Sequence, residues 1–472
     1  MTKYAKEESS RTGNSVVHNT PVHNSTMKKL NSREIVLDML LEILEEGKFS
    51  HTVLNQTLNK YQHLEKQERA FINRLCIGTV KRYLTLDYRI NTVASLPVKK
   101  MKPLIRNLLR LSAYQIMYMD QIPVSAVCNE AVKLAKRRGF AKLSGFVNAV
   151  LRSIVRTNAE FTLPDKEKEP AYYLEIAYSV PSWLVKELLE QYPYDSVERM
   201  LSASLTEKKT SIRCNLKKAS PNQLKKQLQE EEVVVEDSGY LDYAFYIKDY
   251  DYLDKLKAFR EGWFTVQDVS SQLVCQVADI KENDFVVDVC AAPGGKSLHA
   301  AEKAKTVSAR DLTEYKIHFI EENRNRLGLT NVEPLVWDAT VFDPSIEQKA
   351  DIVIADLPCS GLGVLGKKAD IKYKLTQKQQ KELVELQRKM LATVKDYVKS
   401  GGILIFSTCT VNKEENINNR DWFLQNFDFV AESLNPYLPK ELQDENTSKG
   451  YLQLLQGVHE TDGFFLSRMR RK

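Results

Sequence analysis

Two cysteines follow apolar runs that are typical of buried strands in a parallel sheet. Cys409 lies near the end of the segment GGILIFSTCT at residues 401–410, a Gly-Gly turn followed by a predicted strand. Cys359 follows a predicted strand at residues 351–356. A lone cysteine in such a place is usually a small core residue. Because ligands of open α/β sheets bind beyond the carboxyl ends of strands, two such cysteines predict thiol chemistry in one site.

An aspartate accompanies the earlier cysteine in the segment DLPCSG, where Asp356 stands three positions before Cys359. A carboxyl group can hydrogen-bond a heterocycle, and a thiolate can attack one or remove a proton from it. Histidine does not join these residues, since His299 and His318 fall within predicted helices. The pattern therefore favours thiolate chemistry over the serine–histidine chemistry of hydrolases.

The segment FVVDVCAAPGGKS at residues 285–297 predicts a strand, a tight turn of small residues and the start of a helix. Such a corner brings backbone N–H groups close to a nucleotide-like cofactor. Asp311 ends the next predicted strand, where a carboxylate suits ribose hydroxyls, and Asp338 ends the third, where it could meet a base amino group. The corner lacks both G-x-G-x-x-G and P-loop spacing, which argues against a NAD-dependent oxidoreductase.

A thiolate, an acid and a nucleoside-type cofactor together suit methylation of a pyrimidine at carbon 5. That carbon is too weak a nucleophile to take a methyl group directly, but addition of a thiolate to carbon 6 activates it. An acid hydrogen-bonded at N3 would stabilise the charge that develops. A base must then remove the carbon-5 proton so that the thiolate can leave, and the target base must be unstacked.

The elements that would position these residues alternate between strand and helix from residue 261 to residue 472. Such alternation predicts a doubly wound, Rossmann-like parallel sheet with helices on both faces. The last strand is expected at one end of this sheet. The predicted strands cover residues 285–290, 306–310, 332–336, 351–356, 403–408, 428–432 and 463–468.

The preceding chain divides into three predicted parts. Residues 1–27 are polar and are predicted to be a disordered extension, and residues 28–160 repeat apolar positions at helical spacing, which predicts an all-α bundle. Residues 170–260 predict a small α/β domain, in which Arg213 and Asn215 are expected at the surface.

A basic segment ends the helical part. Residues 131–157 contain seven lysines and arginines and not one aspartate or glutamate, whereas a solvated helix face usually mixes both signs. This bias favours contact with a phosphate backbone. The cations are Lys133, Lys136, Arg137, Arg138, Lys142, Arg152 and Arg156, of which the first six are predicted RNA contacts.

Composition limits the other possibilities. The chain has 472 residues and a net charge of +6, with no apolar run long enough to span a membrane and no signal peptide. Its seven cysteines are scattered and never form Cys-x-x-Cys, which argues against a disulfide framework and a metal site. We therefore expect a cytoplasmic protein, a monomer without membrane contact.

Three segments resemble the RNA cytosine-5 methyltransferases that use S-adenosylmethionine: VVDVCAAPGGKS at 286–297, DLPCSGLG at 356–363 and FSTCT at 406–410. Gln267-Asp268 and DGFFLSRMR at 462–470 are similar to the flanking motifs of that family. The helical part, with GFVNAVLR at residues 145–152, resembles the antitermination factor NusB. The combination resembles the ribosomal RNA small subunit methyltransferase B group and implies small-subunit ribosomal RNA as substrate.

The resemblance also implies roles for single residues. It implies that Cys409 is the nucleophile, that Cys359 assists release of the covalent adduct, and that Asp356 contacts both the cytosine ring and the cofactor. Leu357 stands where the family usually has alanine, and GKKADI at 366–371 replaces an Arg-Arg-x-Pro-Asp-Ile pattern. The implied S-adenosylmethionine contacts, besides Asp356, are Cys290, Ala291, Ala292, Pro293, Gly294, Gly295, Lys296, Asp311 and Asp338.

Three alternatives remain open at this point. A DNA cytosine methyltransferase would use the Pro-Cys cysteine, Cys359, as its nucleophile and would not need a second cysteine at Cys409. A methyltransferase could act on another RNA, such as transfer RNA. A non-catalytic RNA-binding assembly factor could keep the fold, although both cysteines and the glycine corner are intact.

Overall fold

The computed structural model describes residues 31–206 and 209–472. The extension predicted over residues 1–27 lies outside these residues. Within the described residues, no helix is both long and apolar enough to cross a membrane. The described chain forms a helical N-terminal region, three linking helices, a small antiparallel sheet and a large mixed sheet.

Seven helices at the N-terminus pack around one apolar core, to which Leu40, Leu108 and Leu134 contribute side chains without exposure. Burial of each such side chain is worth about 1.5–3 kcal/mol. The Asn31 side chain begins the first helix by accepting hydrogen bonds from two backbone N–H groups, and Pro103 occupies the first turn of the fifth. The helices are α1 (Ser32–Leu44), α2 (Ser50–Lys60), α3 (Lys66–Lys81), α4 (Tyr83–Asn91), α5 (Pro103–Tyr118), α6 (Val124–Arg137) and α7 (Ser144–Arg156).

Three further helices precede the small sheet, within the range predicted for the small α/β domain. They are α8 (Pro170–Tyr178), α9 (Ser182–Gln191) and α10 (Tyr194–Leu205). Their core includes Leu362 and Val411, which follow the two candidate cysteines in sequence. The linking helices therefore pack against the segments that carry the candidate site.

The small sheet has four antiparallel strands in the order β2-β3-β1-β4. A capping box formed by Ser220 and Gln223 begins the helix that crosses from β1 to β2. Strand β4 lies within residues 261–472, the range predicted for the large sheet, but pairs with β1 of the small sheet. The elements are β1 (Thr210–Cys214), α11 (Pro221–Glu230), β2 (Val234–Asp237), β3 (Ala244–Lys248), α12 (Lys257–Arg260) and β4 (Phe264–Val266).

The prediction that Arg213 and Asn215 lie at the surface is wrong, since both are buried. Arg213 donates from Nε to Gln267 Oε1 at 2.8 Å and forms an ion pair with Glu302. Asn215 donates from Nδ2 to the carbonyl oxygens of Gly262 and Leu327. Their partners lie up to 112 residues away, so the local pattern carried no sign of this junction between the two sheets.

The large sheet has the strand order β10-β12-β9-β8-β5-β6-β7, with β11 paired to β12. Strands β5 to β9 run parallel to their neighbours among themselves. Val286 and Val287 of β5 belong to different cores, so helices cover both faces as predicted. The strands are β5 (Phe285–Asp288), β6 (Thr306–Asp311), β7 (Val332–Val336), β8 (Ala350–Asp356), β9 (Val398–Thr408), β10 (Phe429–Ala431), β11 (Tyr451–Leu454) and β12 (Phe464–Arg471).

The helices of this domain are α13 (Val269–Ala278), α14 (Gly295–Ala300), α15 (Glu314–Leu327), α16 (Ile371–Lys374), α17 (Gln377–Val394), α18 (Ile417–Asn426) and α19 (Glu445–Ser448). Helices α13, α14 and α15 contribute to the core on one face of the sheet, and α17 and α18 to the core on the other. The alternation of strand and helix thus positions the strand ends between two helical layers.

Two expectations about the sheet are wrong. The last strand, β12, does not lie at one end but is inserted antiparallel between β9 and β10. The pair Gly401-Gly402 is not a turn before the strand, because β9 begins at Val398 and passes through an irregularity opposite Ala350–Ile352. Gly401 has φ of +74° there, a conformation that glycine adopts without strain. Strand β11 was not predicted.

The segment after Cys359 is tied to the helical regions by buried polar side chains. Asp370 accepts a hydrogen bond from the backbone N–H of Ser50 at 3.0 Å. Lys372 is buried and donates from Nζ to the carbonyl oxygens of Lys81, at 3.0 Å, and Tyr178, at 3.1 Å, at the ends of α3 and α8. Burial lowers the pKa of Lys372 well below its usual range. These contacts join the N-terminal and linking helices to the segment after Cys359.

This buried lysine makes stability depend on pH. Its pKa is lowered in the folded chain but ordinary in the unfolded chain, so the unfolded state binds more protons between the two values, and stability rises with pH by up to about 1.4 kcal/mol per pH unit. We expect the melting temperature of the parent chain, relative to that of Lys372→Met, to rise as the pH increases toward the unfolded-state lysine pKa of about 10.4. Lys378→Met, which removes an exposed lysine of α17, is the control. A difference between parent and Lys372→Met that stays constant with pH would contradict the expectation.

Candidate active site

The two candidate cysteines lie side by side at the carboxyl ends of β8 and β9. The sulfur atoms of Cys359 and Cys409 are 3.2 Å apart, and both residues are partly exposed. The hydroxyl groups of Ser360 and Thr410 hydrogen-bond at 2.7 Å, and the N–H of Gly363 donates to the Cys409 carbonyl at 3.0 Å. Adjacent strands thus hold both thiols at one edge of the sheet.

The surroundings of the two thiols shift their pKa values in opposite directions. A hydrogen bond from Cys359 lowers the pKa of Cys409, although burial raises it. The charge of Asp356 also raises this pKa, whereas the ammonium groups of Lys368 and Lys296 lower it. Donation of that hydrogen bond raises the pKa of Cys359, and burial raises it further. The negative charge of the pair is therefore favoured on Cys409.

Asp356 occupies the end of β8 beside the cysteines. Its Oδ2 accepts from Lys296 Nζ at 2.6 Å, and its Oδ1 accepts from Ser407 Oγ at 2.7 Å. Burial alone would lower the pKa of Lys296, but the Asp356 carboxylate outweighs it and the pKa is raised. Lys296, which was grouped with the cofactor contacts, thus reaches the aspartate. Sequence reasoning missed Ser407, although its two-residue spacing from Cys409 places both on one side of the strand.

The turn between β5 and α14 is fastened to the end of β6. The backbone N–H of Ala291 donates to the Arg310 carbonyl at 2.8 Å, and that of Ala292 donates to Asp311 Oδ2 at 3.0 Å. Gly294 has φ of +105°, and a Cβ added there would lie 2.9 Å from a methyl group of Leu298. This left-handed backbone favours glycine at the start of α14.

The aspartates near the ends of β6 and β7 offer carboxylate oxygens that can accept hydrogen bonds from a nucleoside. Asp311 is 4% exposed, and its Oδ1 accepts from Lys316 Nζ at 2.9 Å. Asp338 Oδ1 accepts from the N–H and hydroxyl of Thr340, both at 2.8 Å. Leu312 is 59% exposed beside Asp311 and offers an apolar surface for a base. Carboxylate acceptors for hydroxyl and amino groups, beside an exposed apolar surface, fit a nucleoside cofactor.

The aspartate within the cofactor corner is also unusual. Asp288 is buried, its Oδ2 accepts from Ser297 Oγ at 2.6 Å, and its Oδ1 has no partner among the described residues. Burial raises the pKa of Asp288 to about 7. An unpaired buried acceptor at this corner is a second observation that fits a polar ligand there.

The six predicted RNA contacts divide into two groups. Three are paired with acidic side chains: Lys133 with Glu130 at 2.8 Å, Arg137 with Glu34 at 2.8 Å, and Arg138 with Asp38 at 2.6 Å. Glu34 and Asp38 come from α1, about 100 residues earlier, so the absence of anions within 131–157 was misleading. The others, Lys136, Lys142 and Arg152, are exposed and form no ion pair with any residue of 31–206 or 209–472.

The parallel strands β5 to β9, the inserted antiparallel strand β12 and the cofactor corner define a Rossmann-like methyltransferase domain. Models of three families match the chain: 16S rRNA methyltransferase RsmB/F over residues 275–470, the NusB family over 30–156, and an RsmF/B-like ferredoxin-like domain over 180–250. The predicted NusB-like helical region is thereby confirmed.

Curated relatives match along nearly the whole chain. The probable ribosomal RNA small subunit methyltransferase B of Bacillus subtilis (strain 168) is 35% identical over 459 residues, 94% of this chain and 100% of that protein. A protein of the same description from Synechocystis sp. is 31% identical over 451 residues, with the same coverage of both chains. The chain belongs to the RsmB/F family of 16S rRNA methyltransferases.

Solved structures share this fold. The crystal structure of PH0851 superposes with a TM-score of 0.76 at 26% identity, over 94% of this chain and 99% of that one. A methyltransferase homolog protein from Pyrococcus horikoshii matches 63% of this chain and 98% of its own, with a TM-score of 0.54 at 24% identity. The second match bears on the fold alone.

Proposed function

We propose that this chain uses S-adenosylmethionine to convert a cytosine of small-subunit ribosomal RNA to 5-methylcytosine, through a covalent bond between Cys409 and carbon 6 of the base. The contact between the Cys409 and Cys359 sulfurs carries the proposal, because it joins a favoured thiolate to a thiol that can stabilise it. Family membership and the nucleoside chemistry of the strand ends support it.

Cys409 begins the reaction as a thiolate. Its sulfur forms a bond to carbon 6 of the cytosine, and the electron pair of the double bond between carbons 5 and 6 shifts within the ring, which makes carbon 5 nucleophilic. Asp356 contacts the ring, and the ammonium group of Lys296 beside it stabilises the negative charge that develops. Ser407 fixes the orientation of the Asp356 carboxylate.

The cofactor residues are the turn 290–296 together with Asp311, Asp338 and Asp356. S-adenosylmethionine, when bound there, supplies an electrophilic methyl group to carbon 5. Once a base has removed the carbon-5 proton, the bond between carbon 6 and sulfur breaks and its electron pair returns to Cys409. The Cys359 thiol assists this release because its hydrogen bond stabilises the departing thiolate.

The proposal is tested by methyl transfer with the full-length chain. We expect label from methyl-labelled S-adenosylmethionine to enter small-subunit ribosomal RNA, and bisulfite sequencing to find one protected cytosine. Transfer RNA and a DNA oligonucleotide of the same sequence are the comparison substrates. Label in transfer RNA alone or in DNA alone would assign another substrate, and no label in any of them would favour a non-catalytic role.

We further propose that Lys136, Lys142 and Arg152 contact the phosphate backbone, and that their ion-paired neighbours contribute less. Replacing all three by glutamine should weaken RNA binding and reduce the slope of log K against log salt by about 2 to 3, because each phosphate contact contributes about 0.7–0.9. The matched control replaces Lys133, Arg137 and Arg138. Filter binding over a salt series measures both slopes, and equal slopes for the two triple variants would contradict the assignment.

A further inference from the structure

A buried carboxylate lies directly behind the turn that carries Cys359. Glu415 has no exposed surface, and its Oε2 accepts from the backbone N–H of Ser360 at 2.8 Å. Gln387 of α17 donates to the same oxygen at 3.2 Å and to the Pro358 carbonyl at 2.9 Å. Glu415 and Gln387 thus hold the residues on both sides of Cys359.

Burying a charged carboxylate at this position costs desolvation free energy. Glu415 forms no ion pair with a lysine or arginine of the described chain, and its Oε1 has no hydrogen-bond partner there. The charged group that faces it from α9 is Glu187, another acid, whose carboxylate accepts from Gln380 at 2.8 Å. Burial raises the pKa of Glu415, although the hydrogen bond from Ser360 opposes this shift. A neutral amide could hold the turn without this cost, so a carboxyl group at residue 415 needs a further explanation.

The adjacent cysteines supply one. Two thiols 3.2 Å apart cannot both ionise readily, so once one has lost its proton the pair shares the other, and the surroundings decide which sulfur keeps it. The Glu415 carboxylate is bound to the residue next to Cys359, and its charge adds to the hydrogen bond to Cys409 and to burial in raising the pKa of Cys359. The hydrogen bond from Cys359 and the charges of Lys368 and Lys296 lower the pKa of Cys409, whereas burial and Asp356 raise it.

We propose that Glu415 is a positioning residue that fixes the turn at Cys359 and, through its negative charge, keeps the shared proton on Cys359 and the thiolate on Cys409. This inference rests on the proposed function, in which Cys409 is the nucleophile, and explains how one of two neighbouring thiols is selected. Glu415 acts through the cysteines and does not touch the substrate.

The test measures the initial rates at which iodoacetamide alkylates each cysteine in the full-length chain, over a pH series, with peptide mass spectrometry as the readout. We expect Cys409 to react first in the parent. Glu415→Gln keeps an oxygen for the Ser360 N–H but removes the charge, so the preference for Cys409 should fall by up to about tenfold, the ratio equivalent to one pKa unit. The midpoint for Cys359 should move to lower pH.

Two further variants distinguish the effect of the charge of Glu415 from the effect of its side-chain shape. Glu415→Asp keeps the charge and should retain more of the parental preference than Glu415→Gln does. Glu414→Gln alters an exposed neighbour and should leave the preference unchanged. An unchanged ratio and midpoint in Glu415→Gln, or a loss of preference as large in Glu415→Asp as in Glu415→Gln, would overturn the proposal. Alkylation needs neither RNA nor cofactor, so its outcome is independent of the methyl-transfer assay.

Discussion

Cys409→Ser should abolish methyl transfer and form no covalent complex with RNA, whereas Cys359→Ala should accumulate one. A serine hydroxyl at residue 409 is almost wholly protonated at neutral pH, so addition to carbon 6 should slow by at least about a thousandfold, equivalent to about 4 kcal/mol of activation free energy. Cys359→Ala leaves the nucleophile in place but removes the hydrogen bond that stabilises its departure. The adduct then forms faster than it resolves.

Denaturing gels of the chain incubated with labelled ribosomal RNA and S-adenosylmethionine measure this adduct. Cys128→Ser, which alters a buried cysteine of the helical region, should behave as the parent does. The reverse result, with adduct formation lost in Cys359→Ala and kept in Cys409→Ser, would make Cys359 the nucleophile. It would then place the site with the DNA-type enzymes considered above.

Much of the site could be predicted because its chemistry follows short local patterns. A strand, a turn and a characteristic side chain lie within a few residues of one another, and parallel strands bring their carboxyl ends to one edge. The 3.2 Å contact between Cys359 and Cys409 joins residues 50 apart, yet it follows from two neighbouring strand ends. What remained open was which groups complete the site.

Lys296 shows why. Its place in the segment AAPGGKS groups it with the cofactor turn, but its Nζ lies 2.6 Å from Asp356 Oδ2, 60 residues later. A long flexible side chain can reach either way, and only packing decides between them. Glu415 escaped notice for a related reason, since its partner Ser360 is 55 residues earlier.

Long-range pairing also explains the errors in the fold. The apolar pattern of β12 predicts a strand but not its neighbours, and its insertion beside β9 depends on pairs such as Phe465 with Thr408. Arg213 was assigned to the surface because its residue type usually lies there, yet Gln267 and Glu302 satisfy it in the interior. The basic segment 131–157 lacked anions only in the sequence, since α1 brings them in space.

Gly363→Ala is the second variant for which we expect a large effect. Gly363 donates its N–H to the Cys409 carbonyl at 3.0 Å and accepts from the N–H of Gly463 at 2.9 Å. A Cβ at residue 363 would collide with the carbonyl oxygen of Gly463 and lie 2.8 Å from that of Cys409. Both contacts are with backbone, which cannot rotate away as a side chain can.

The three segments that carry Gly363, Cys409 and Gly463 must therefore separate, which displaces the Cys409 sulfur. Overpacking of this kind costs about 1–3 kcal/mol of stability, and a displacement near 1 Å can cost about a hundredfold in rate. We expect Gly363→Ala to lower the melting temperature and to reduce methyl transfer about a hundredfold or more. Gly145→Ala is the matched control, because a Cβ there meets nothing within 4 Å. Parental activity in Gly363→Ala would show that the close approach of these three segments does not hold Cys409 in its reactive position.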